Sequence, residues 1–272
     1  MKIALTGASG FVGTALQEAF TECVIISRKD DEKAILDKLK GVDVLINLAG
    51  APIIKRWSES YKKVLTRSRI ETTRRIVSAL NQSSVSHFIS TSAIGIYPDD
   101  KPCDESCSEI AGDFVGTLAQ QWEKEALLCH KPTTILRFGV ILGKEGGALA
   151  QMLTPFRLGV GGTIGNGKMM TSWIDIDDLV RIYHFVIERR LEGTFNAVSP
   201  RPVSNYAFTK SLGAVLHRPT ILPIPKFVLH MMYGDAASVL IGSKEIYPAA
   251  LEKEGFVFDY PDIKTSLKHL LA

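Results

Sequence analysis

The glycine-rich turn at residues 6–13 constrains the fold of this 272-residue chain more than any other feature. It follows an apolar stretch at residues 1–5, which is typical of a strand buried on both faces. Beyond the turn, apolar residues recur at helical spacing from Phe11 to Phe20. The glycines therefore mark the point where a strand ends and a helix begins.

The start of such a helix favours an anion, because its first amides have no partner and carry the positive end of the helix dipole. We predict that Gly7 takes the turn with a positive φ and that Gly13 lets the helix pack on the strand. Gly10 lets a pyrophosphate approach the backbone, and Phe11 and Val12 supply the first amides. The turn thus predicts a dinucleotide site; a helix entry without a ligand is the alternative.

The choice of dinucleotide depends on the end of the second strand, which we place at residues 23–27. An NAD site offers an acidic residue there, whereas this chain has Ser27 and Arg28. A guanidinium can pair with a 2′-phosphate through two hydrogen bonds, so the pattern favours NADP(H) as the cofactor. The alternative is that Arg28 is an ordinary surface charge, paired with the acidic residues at 30–32.

A third buried strand, at residues 42–47, runs into a turn of small residues. Ligands of doubly wound sheets lie beyond the carboxyl ends of the strands. We therefore assign this turn to the cofactor site; its members are Leu48, Ala49 and Gly50.

Two residues further along complete the predicted cofactor site. Arg69 lies in a long amphipathic helix at residues 57–80, where it either reaches the cofactor or faces solvent. Val140 follows the strand at residues 133–138. Because this strand should end at the same edge of the sheet as the others, we include Val140.

Strands and helices alternate through the first half of the chain, which predicts an α/β fold with a Rossmann-type, doubly wound parallel sheet. We assign residues 1–145 mainly to the NADP-binding core. Residues 146–272 complete this core and form a smaller C-terminal α/β lobe that binds substrate. Residues 227–240 are apolar almost all round, which indicates a helix buried in that lobe or in a dimer contact.

Composition excludes several partners. The net charge is only +3 and no dense run of Lys and Arg occurs, so we expect no nucleic acid. No apolar run reaches membrane-spanning length and no signal peptide is evident, so we expect no membrane association. The 4 cysteines are irregularly spaced, which favours the reduced cytoplasm and no metal site.

With these residues in view, the chain resembles the short-chain dehydrogenase/reductase superfamily of the extended, sugar-nucleotide-epimerase type. Residues 6–13 match its T-G-x-x-G-x-x-G motif. More narrowly, the chain resembles atypical members that are named nucleoside-diphosphate-sugar epimerases or cell-division inhibitors. The resemblance rests on pairs such as Arg56-Trp57 and Trp122-Glu123. The resemblance implies NADP(H) as cofactor and a small-molecule substrate, such as a nucleotide sugar.

In this family a Ser or Thr binds the reacting oxygen, and a Tyr four residues before a Lys transfers the proton. Ser92, at the end of the fourth strand, matches the hydroxyl. The helix that would carry the pair has Phe114 and Leu118 instead, and neither residue exchanges a proton. Tyr97 is the nearest substitute, with the alternative that it is a packing residue beneath the pocket.

Two functions remain open at this stage. The first is an NADP-dependent oxidoreductase or epimerase, with Ser92 and Tyr97 as candidate catalytic residues. The second is a module that holds NADP(H) and reports its state to a partner without turnover. Oligomeric state does not follow from the sequence.

Overall fold

The secondary structure alternates as expected. The computed structural model describes residues 1–272. Its strands are β1 (Ile3–Thr6), β2 (Cys23–Ile26), β3 (Val44–Asn47), β4 (His87–Ala93), β5 (Pro102–Cys103), β6 (Thr133–Phe138), β7 (Val140–Leu142), β8 (Met170–Thr171), β9 (Trp173–Asp175), β10 (Gly193–Ala197), β11 (Val203–Ser204) and β12 (Glu245–Ile246).

The helices connect these strands and cover both faces of the sheet that they form. They are α1 (Phe11–Ala19), α2 (Glu32–Lys38), α3 (Glu59–Thr66), α4 (Thr72–Asn81), α5 (Phe114–Ala126), α6 (Gly147–Arg157), α7 (Ile176–Glu188), α8 (Asn205–Leu216), α9 (Lys226–Tyr233), α10 (Ala237–Ile241), α11 (Ala249–Lys253) and α12 (Ile263–Leu271). None of them combines the length and the apolar character that crossing a membrane requires.

The central sheet has 6 parallel strands in the order β10-β6-β4-β3-β1-β2. The chain moves outward from β1 to β2 and then returns to place β3 on the other side of β1. This reversal leaves a crevice beyond the carboxyl ends of β1 and β3, which is where such sheets bind ligands. The predicted doubly wound α/β fold is confirmed.

The two faces of the sheet are buried in separate clusters of apolar side chains. Ile3 and Leu5 of β1 belong to the larger cluster, and Ala4, between them, belongs to the other. The larger cluster also contains Leu267 and Leu270 of α12, so the last helix packs in the same core as the first strand. Burial on both faces explains why β1 is continuously apolar.

The long helix predicted at residues 57–80 is present as α3 and α4, joined by a π-helical turn at Arg67–Glu71. A π turn widens the helix by one residue and thereby changes the direction in which its side chains project. Arg69 lies in the middle of this turn, so its position differs from that on a regular α-helix.

Of the two alternatives for residues 227–240, burial of one helix in the C-terminal lobe is wrong, and a dimer contact stays a prediction. The segment is divided into α9 and α10 by a turn at Gly234, which has a φ of 60°. No residue of α9 is buried, and Phe227 and Met231 are 68% and 66% exposed. An apolar sequence shows what a helix is able to bury, but it does not supply the surface that covers it.

Asp175 joins two helices of the larger cluster. Its carboxylate accepts a hydrogen bond from the amide of Asp177 at the start of α7 (3.0 Å) and from the Ser266 hydroxyl of α12 (2.6 Å). The residue is only 1% exposed, and burial raises the pKa of its carboxyl to about 6. The folded protein therefore binds a proton here more tightly than the unfolded chain does.

This difference makes stability depend on pH. The ordinary pKa is 3.8 and the folded value is about 6, so the contribution of Asp175 to the free energy of unfolding falls as pH rises through this interval. Asp175→Asn keeps the cap and removes the titration. We expect its stability relative to wild type to increase by about 2 to 3 kcal/mol between pH 4 and pH 7. Urea unfolding at several pH values measures this change, with the exposed cap Asp31→Asn as the control; a pH-independent difference would contradict it.

Candidate functional site

The glycine turn has three different local environments. Gly7 has a φ of 67°, and a Cβ there would lie 2.7 Å from the Leu48 carbonyl oxygen. A Cβ on Gly13 would lie 2.4 Å from the Gly7 carbonyl oxygen, so Gly13 allows α1 to pack on the turn. A Cβ on Gly10 would approach only Gly7 O, at 3.2 Å. The protein therefore fills the space beside Gly7 and Gly13 and leaves it open beside Gly10.

The start of α1 offers hydrogen-bond donors to this open space. Gly10 is the N-cap of α1, and no side chain caps the helix. The ring of Phe11 lies against the loop between β7 and α6, where a Cβ on Gly143 would lie 2.2 Å from it. Phe11 and Val12 thus present backbone amides at the crevice, as predicted for a phosphate site.

Asn47 fixes the neighbouring turn at residues 48–50. Its side-chain oxygen accepts a hydrogen bond from the Thr6 hydroxyl (2.8 Å), and its side-chain nitrogen donates to the Thr73 hydroxyl (2.9 Å). The Thr6 oxygen in turn accepts the Leu48 amide at 3.1 Å. The ends of β1 and β3 are thereby joined to α4, which holds Leu48, Ala49 and Gly50 against the glycine turn.

Arg69 faces this turn and not solvent. Its guanidinium donates to the carbonyl oxygen of Ala51 at 3.1 Å and lies 5.2 Å from the centre of the Trp122 ring. A Cβ on Gly50 would come within 3.1 Å of it, so the glycine makes room for the arginine. Burial lowers the pKa of Arg69 to about 10, and the side chain remains charged at neutral pH.

Ser27 and Arg28 are exposed at the end of β2, and the side chain of Arg28 has no hydrogen bond or ion pair. The acidic residues that follow have other partners. Asp30 pairs with Lys38 at 2.5 Å, Asp31 caps α2, and Glu32 accepts from Ser78 at 2.7 Å. These acids therefore form no ion pair with Arg28, and its alternative roles as a phosphate ligand or a solvated charge both stay predictions.

Ser92 is engaged within the protein. It is 1% exposed, and its hydroxyl donates to Oε1 of Glu123 on α5 at 2.5 Å. Glu123 also accepts two hydrogen bonds from Arg137 of β6, at 2.8 and 2.7 Å. The single proton of Ser92 is thus committed to Glu123, which leaves the Ser92 oxygen only as an acceptor towards any ligand.

Tyr97 belongs to the same network. Its hydroxyl donates to the side-chain oxygen of Asn196 on β10 (2.8 Å) and accepts from Arg137 (2.6 Å). Burial raises the pKa of Tyr97 to about 12, so the phenol keeps its proton at neutral pH. These contacts fit the alternative that Tyr97 is a packing residue beneath the pocket. Sequence reasoning missed Glu123 and Arg137 as the centre of the network.

The first turn of α5 is apolar on the side that faces α3. The Phe114 ring lies edge-on to Trp57, with 5.3 Å between ring centres, and Leu118 is buried in the same cluster. The ammonium of Lys62 is 5.9 Å from the centre of the Phe114 ring. Phe114 and Leu118 therefore pack, and they bring no proton-exchanging group to the crevice.

Val140 begins β7, which pairs with β9 beside the central sheet. Its amide donates to the carbonyl oxygen of Ser172 at 2.9 Å. The preceding Gly139 permits this contact, because a Cβ there would lie 2.7 Å from the same oxygen. Val140 is thus fixed just beyond the carboxyl end of β6, on the side of the crevice opposite to β2.

The Glu123–Arg137 pair should be essential for stability, because removing one partner leaves a buried charge without compensation. We expect Arg137→Met to lower the free energy of unfolding by about 3 to 5 kcal/mol, and added Glu123→Gln to recover at least about 1 kcal/mol. The pair between the exposed Arg74 of α4 and Glu125 of α5 is the control, and Arg74→Met should cost much less than Arg137→Met. Equal losses for Arg137→Met and Arg74→Met in urea unfolding would contradict this assignment.

The chain is similar to known proteins over its whole length. Residues 3–198 match the NAD dependent epimerase/dehydratase family, and residues 224–270 match a domain of unknown function, DUF1731. Epimerase family protein SDR39U1 of Mus musculus is 32% identical over 293 residues, covering 100% of both chains. YfhF of Bacillus subtilis is 33% identical over 299 residues, covering 100% of this chain and 98% of its own.

Two solved structures are also similar. The crystal structure of human SDR39U1 (isoform2) with NADPH has a TM-score of 0.94 and 30% identity, covering 99% of each chain. The nucleoside-diphosphate sugar epimerase of Corynebacterium glutamicum has a TM-score of 0.80 and 30% identity, covering 100% of this chain and 58% of that one. This chain therefore belongs to the NAD dependent epimerase/dehydratase family.

Proposed function

We propose that this protein binds NADPH in the crevice beyond β1, β2 and β3. The observation that carries the proposal is the unpaired Arg28 at the end of β2, in the same crevice as the uncapped start of α1. A guanidinium without a partner suits a 2′-phosphate, and free helix amides beside Gly10 suit a pyrophosphate. Human SDR39U1, which is similar over almost its whole length, crystallises with NADPH.

We assign the remaining cofactor contacts to residues that line the crevice. Leu48, Ala49 and Gly50 line it next to the glycine turn, and Val140 lies at the opposite side. The charged guanidinium of Arg69 lies next to Gly50. Leu118 leaves α5 without the lysine that the family has at this position. Arg69 provides a positive charge nearby, because its guanidinium stacks on Trp122 of the same helix. We assign Arg69 to the nicotinamide side of the site.

For chemistry we propose oxidoreduction or epimerisation of a small carbonyl or hydroxyl compound, such as a nucleotide sugar, bound on the side of residues 146–272. When bound, NADPH would supply a hydride to a carbonyl, and NADP⁺ would accept one from a hydroxyl carbon, as the first step of an epimerisation requires. The Ser92 oxygen, whose proton points to Glu123, accepts a hydrogen bond from a substrate hydroxyl. Water supplies the proton, because Tyr97 retains its own, and the loss of positioned acid–base help lowers the rate by about 10² to 10⁴.

The second candidate is a module that holds NADPH without turnover. The apolar contacts of Phe114 and Leu118 favour it, together with the hydrogen bonds that occupy both Ser92 and Tyr97. The two candidates share the same cofactor site and differ only in whether a substrate reacts at the nicotinamide.

Gly10→Ser tests the cofactor site without removing the fold. Serine is a good N-cap at the observed φ of −82°, and its side chain occupies the space that the pyrophosphate needs. We expect unchanged or slightly higher thermal stability and an NADPH affinity at least about 100-fold lower, because several amide hydrogen bonds are lost. Titration of NADPH fluorescence measures the affinity. Gly112→Ser is the control, because a Cβ there meets nothing within 4 Å; equal NADPH affinity in both variants would contradict the site.

Turnover distinguishes the two candidate functions. The NADPH-loaded protein is mixed with small aldehydes and ketones, and the NADP⁺-loaded protein is mixed with nucleoside-diphosphate sugars. NADPH absorbance reports reduction, and chromatography of the sugars reports epimerisation. We expect loss of absorbance or an epimerised product with at least one class of compound. Tight NADPH binding without either change for every class would favour the module.

A further inference from the structure

Arg75, on α4, has a buried hydrogen-bond donor without a partner. Its Nε is inaccessible to solvent and makes no hydrogen bond. The one contact of the guanidinium is a long hydrogen bond, 3.4 Å, from Nη2 to the carbonyl oxygen of Arg28. A buried unpaired donor is unfavourable, so its presence calls for a physical explanation.

The fold brings Arg75 to the end of β2. Helix α4 packs beside α2, where Ser78 and Gln82 both donate to the Glu32 carboxylate. Arg75 lies one turn nearer to the start of α4, which is the end that faces the carboxyl edge of the sheet. It therefore lies beneath the turn that contains Ser27 and Arg28.

The charges around Arg75 do not neutralise it. Asp30, whose carboxylate lies near Arg75, already pairs with Lys38 at 2.5 Å and accepts the Ser27 amide at 2.7 Å. Glu32 accepts from Ser78 and Gln82 and forms no ion pair with Arg75. The ammonium of Lys38 is the main cause that lowers the pKa of Asp30, and Arg75 contributes less. Arg28 has no ion pair. Two guanidiniums thus lie close together here, and neither positive charge is compensated by an ion pair.

We infer that Arg75 is the second guanidinium of a phosphomonoester site formed with Ser27 and Arg28, and that it binds the 2′-phosphate of NADPH. The inference deepens the proposed function and rests on it. A phosphate dianion has three acceptor oxygens, so it accepts donors from two guanidiniums and a hydroxyl at once. The free Nε of Arg75 is a donor that such a ligand would satisfy, and the charge excess is one that it would neutralise.

A purely structural role is the competing explanation: Arg75 would only hold the backbone of Arg28. The two explanations differ in which ligand they affect. A phosphate contact distinguishes NADPH from NADH, whereas a displaced turn weakens both dinucleotides alike.

The test compares Arg75→Met with Arg75→Lys, which keeps the charge but loses the planar pair of donors. Arg74→Met is the matched control, because Arg74 is the adjacent arginine and pairs with Glu125 on α5. Affinities for NADPH and NADH are measured by nicotinamide fluorescence, and those for 2′,5′-ADP and 5′-AMP by calorimetry. Thermal unfolding of the ligand-free proteins reports structural damage.

We expect Arg75→Met to weaken NADPH and 2′,5′-ADP about 10- to 100-fold and to change NADH and 5′-AMP less than about 2-fold. Arg75→Lys should be intermediate, Arg74→Met should match wild type, and Arg28→Asp should show the same selectivity for the phosphate. Unchanged NADPH affinity in Arg75→Met, or equal loss of NADPH and NADH, would overturn the inference alone. A wild-type protein that binds neither dinucleotide would overturn the proposed function as well.

Discussion

The buried ion pair between Glu123 and Arg137 determines the arrangement of one half of the crevice. Two charges are costly to remove from water unless each has a full set of partners. Here Ser92 and the Nε and Nη2 donors of Arg137 satisfy Glu123, and the Tyr97 hydroxyl accepts a hydrogen bond from Nη1 of Arg137. Because the partners come from β4, β6, α5 and the loop after β4, the pair fixes these elements relative to one another.

The same pair explains why the two halves of the crevice differ chemically. On the β2 side, donors are unpaired and space is open next to Gly10. On the α5 side, hydroxyl groups that resemble catalytic ones already have protein partners, and Phe114 and Leu118 pack against Trp57. The β2 half therefore offers free donors and space to a ligand, whereas the polar groups of the α5 half are already bonded to other groups of the protein.

The parts of the site that sequence reasoning found are local ones. The glycine turn is predictable because the steric needs of Gly7, Gly10 and Gly13 arise within one strand, one turn and one helix. Arg28 is predictable because its place follows directly from the end of β2. By contrast, Ser92 and Glu123 are 31 residues apart, and Arg75 contacts Arg28 across 47 residues. Glutamate and arginine usually lie on the surface, so no local pattern distinguishes these buried ones. The apolar segment at residues 227–240 shows the opposite error, since its pattern predicts burial where the fold leaves α9 uncovered.

The packing of α12 against β1 also bears on how the protein is made. Ile3 and Leu5 leave the ribosome long before Leu267 and Leu270, yet all four residues belong to the same cluster. During synthesis the first strand must therefore remain partly uncovered or be shielded by chaperones, since contacts of such long sequence separation form slowly. The strand that leads into the glycine turn therefore gains its full packing only when α12 has been made.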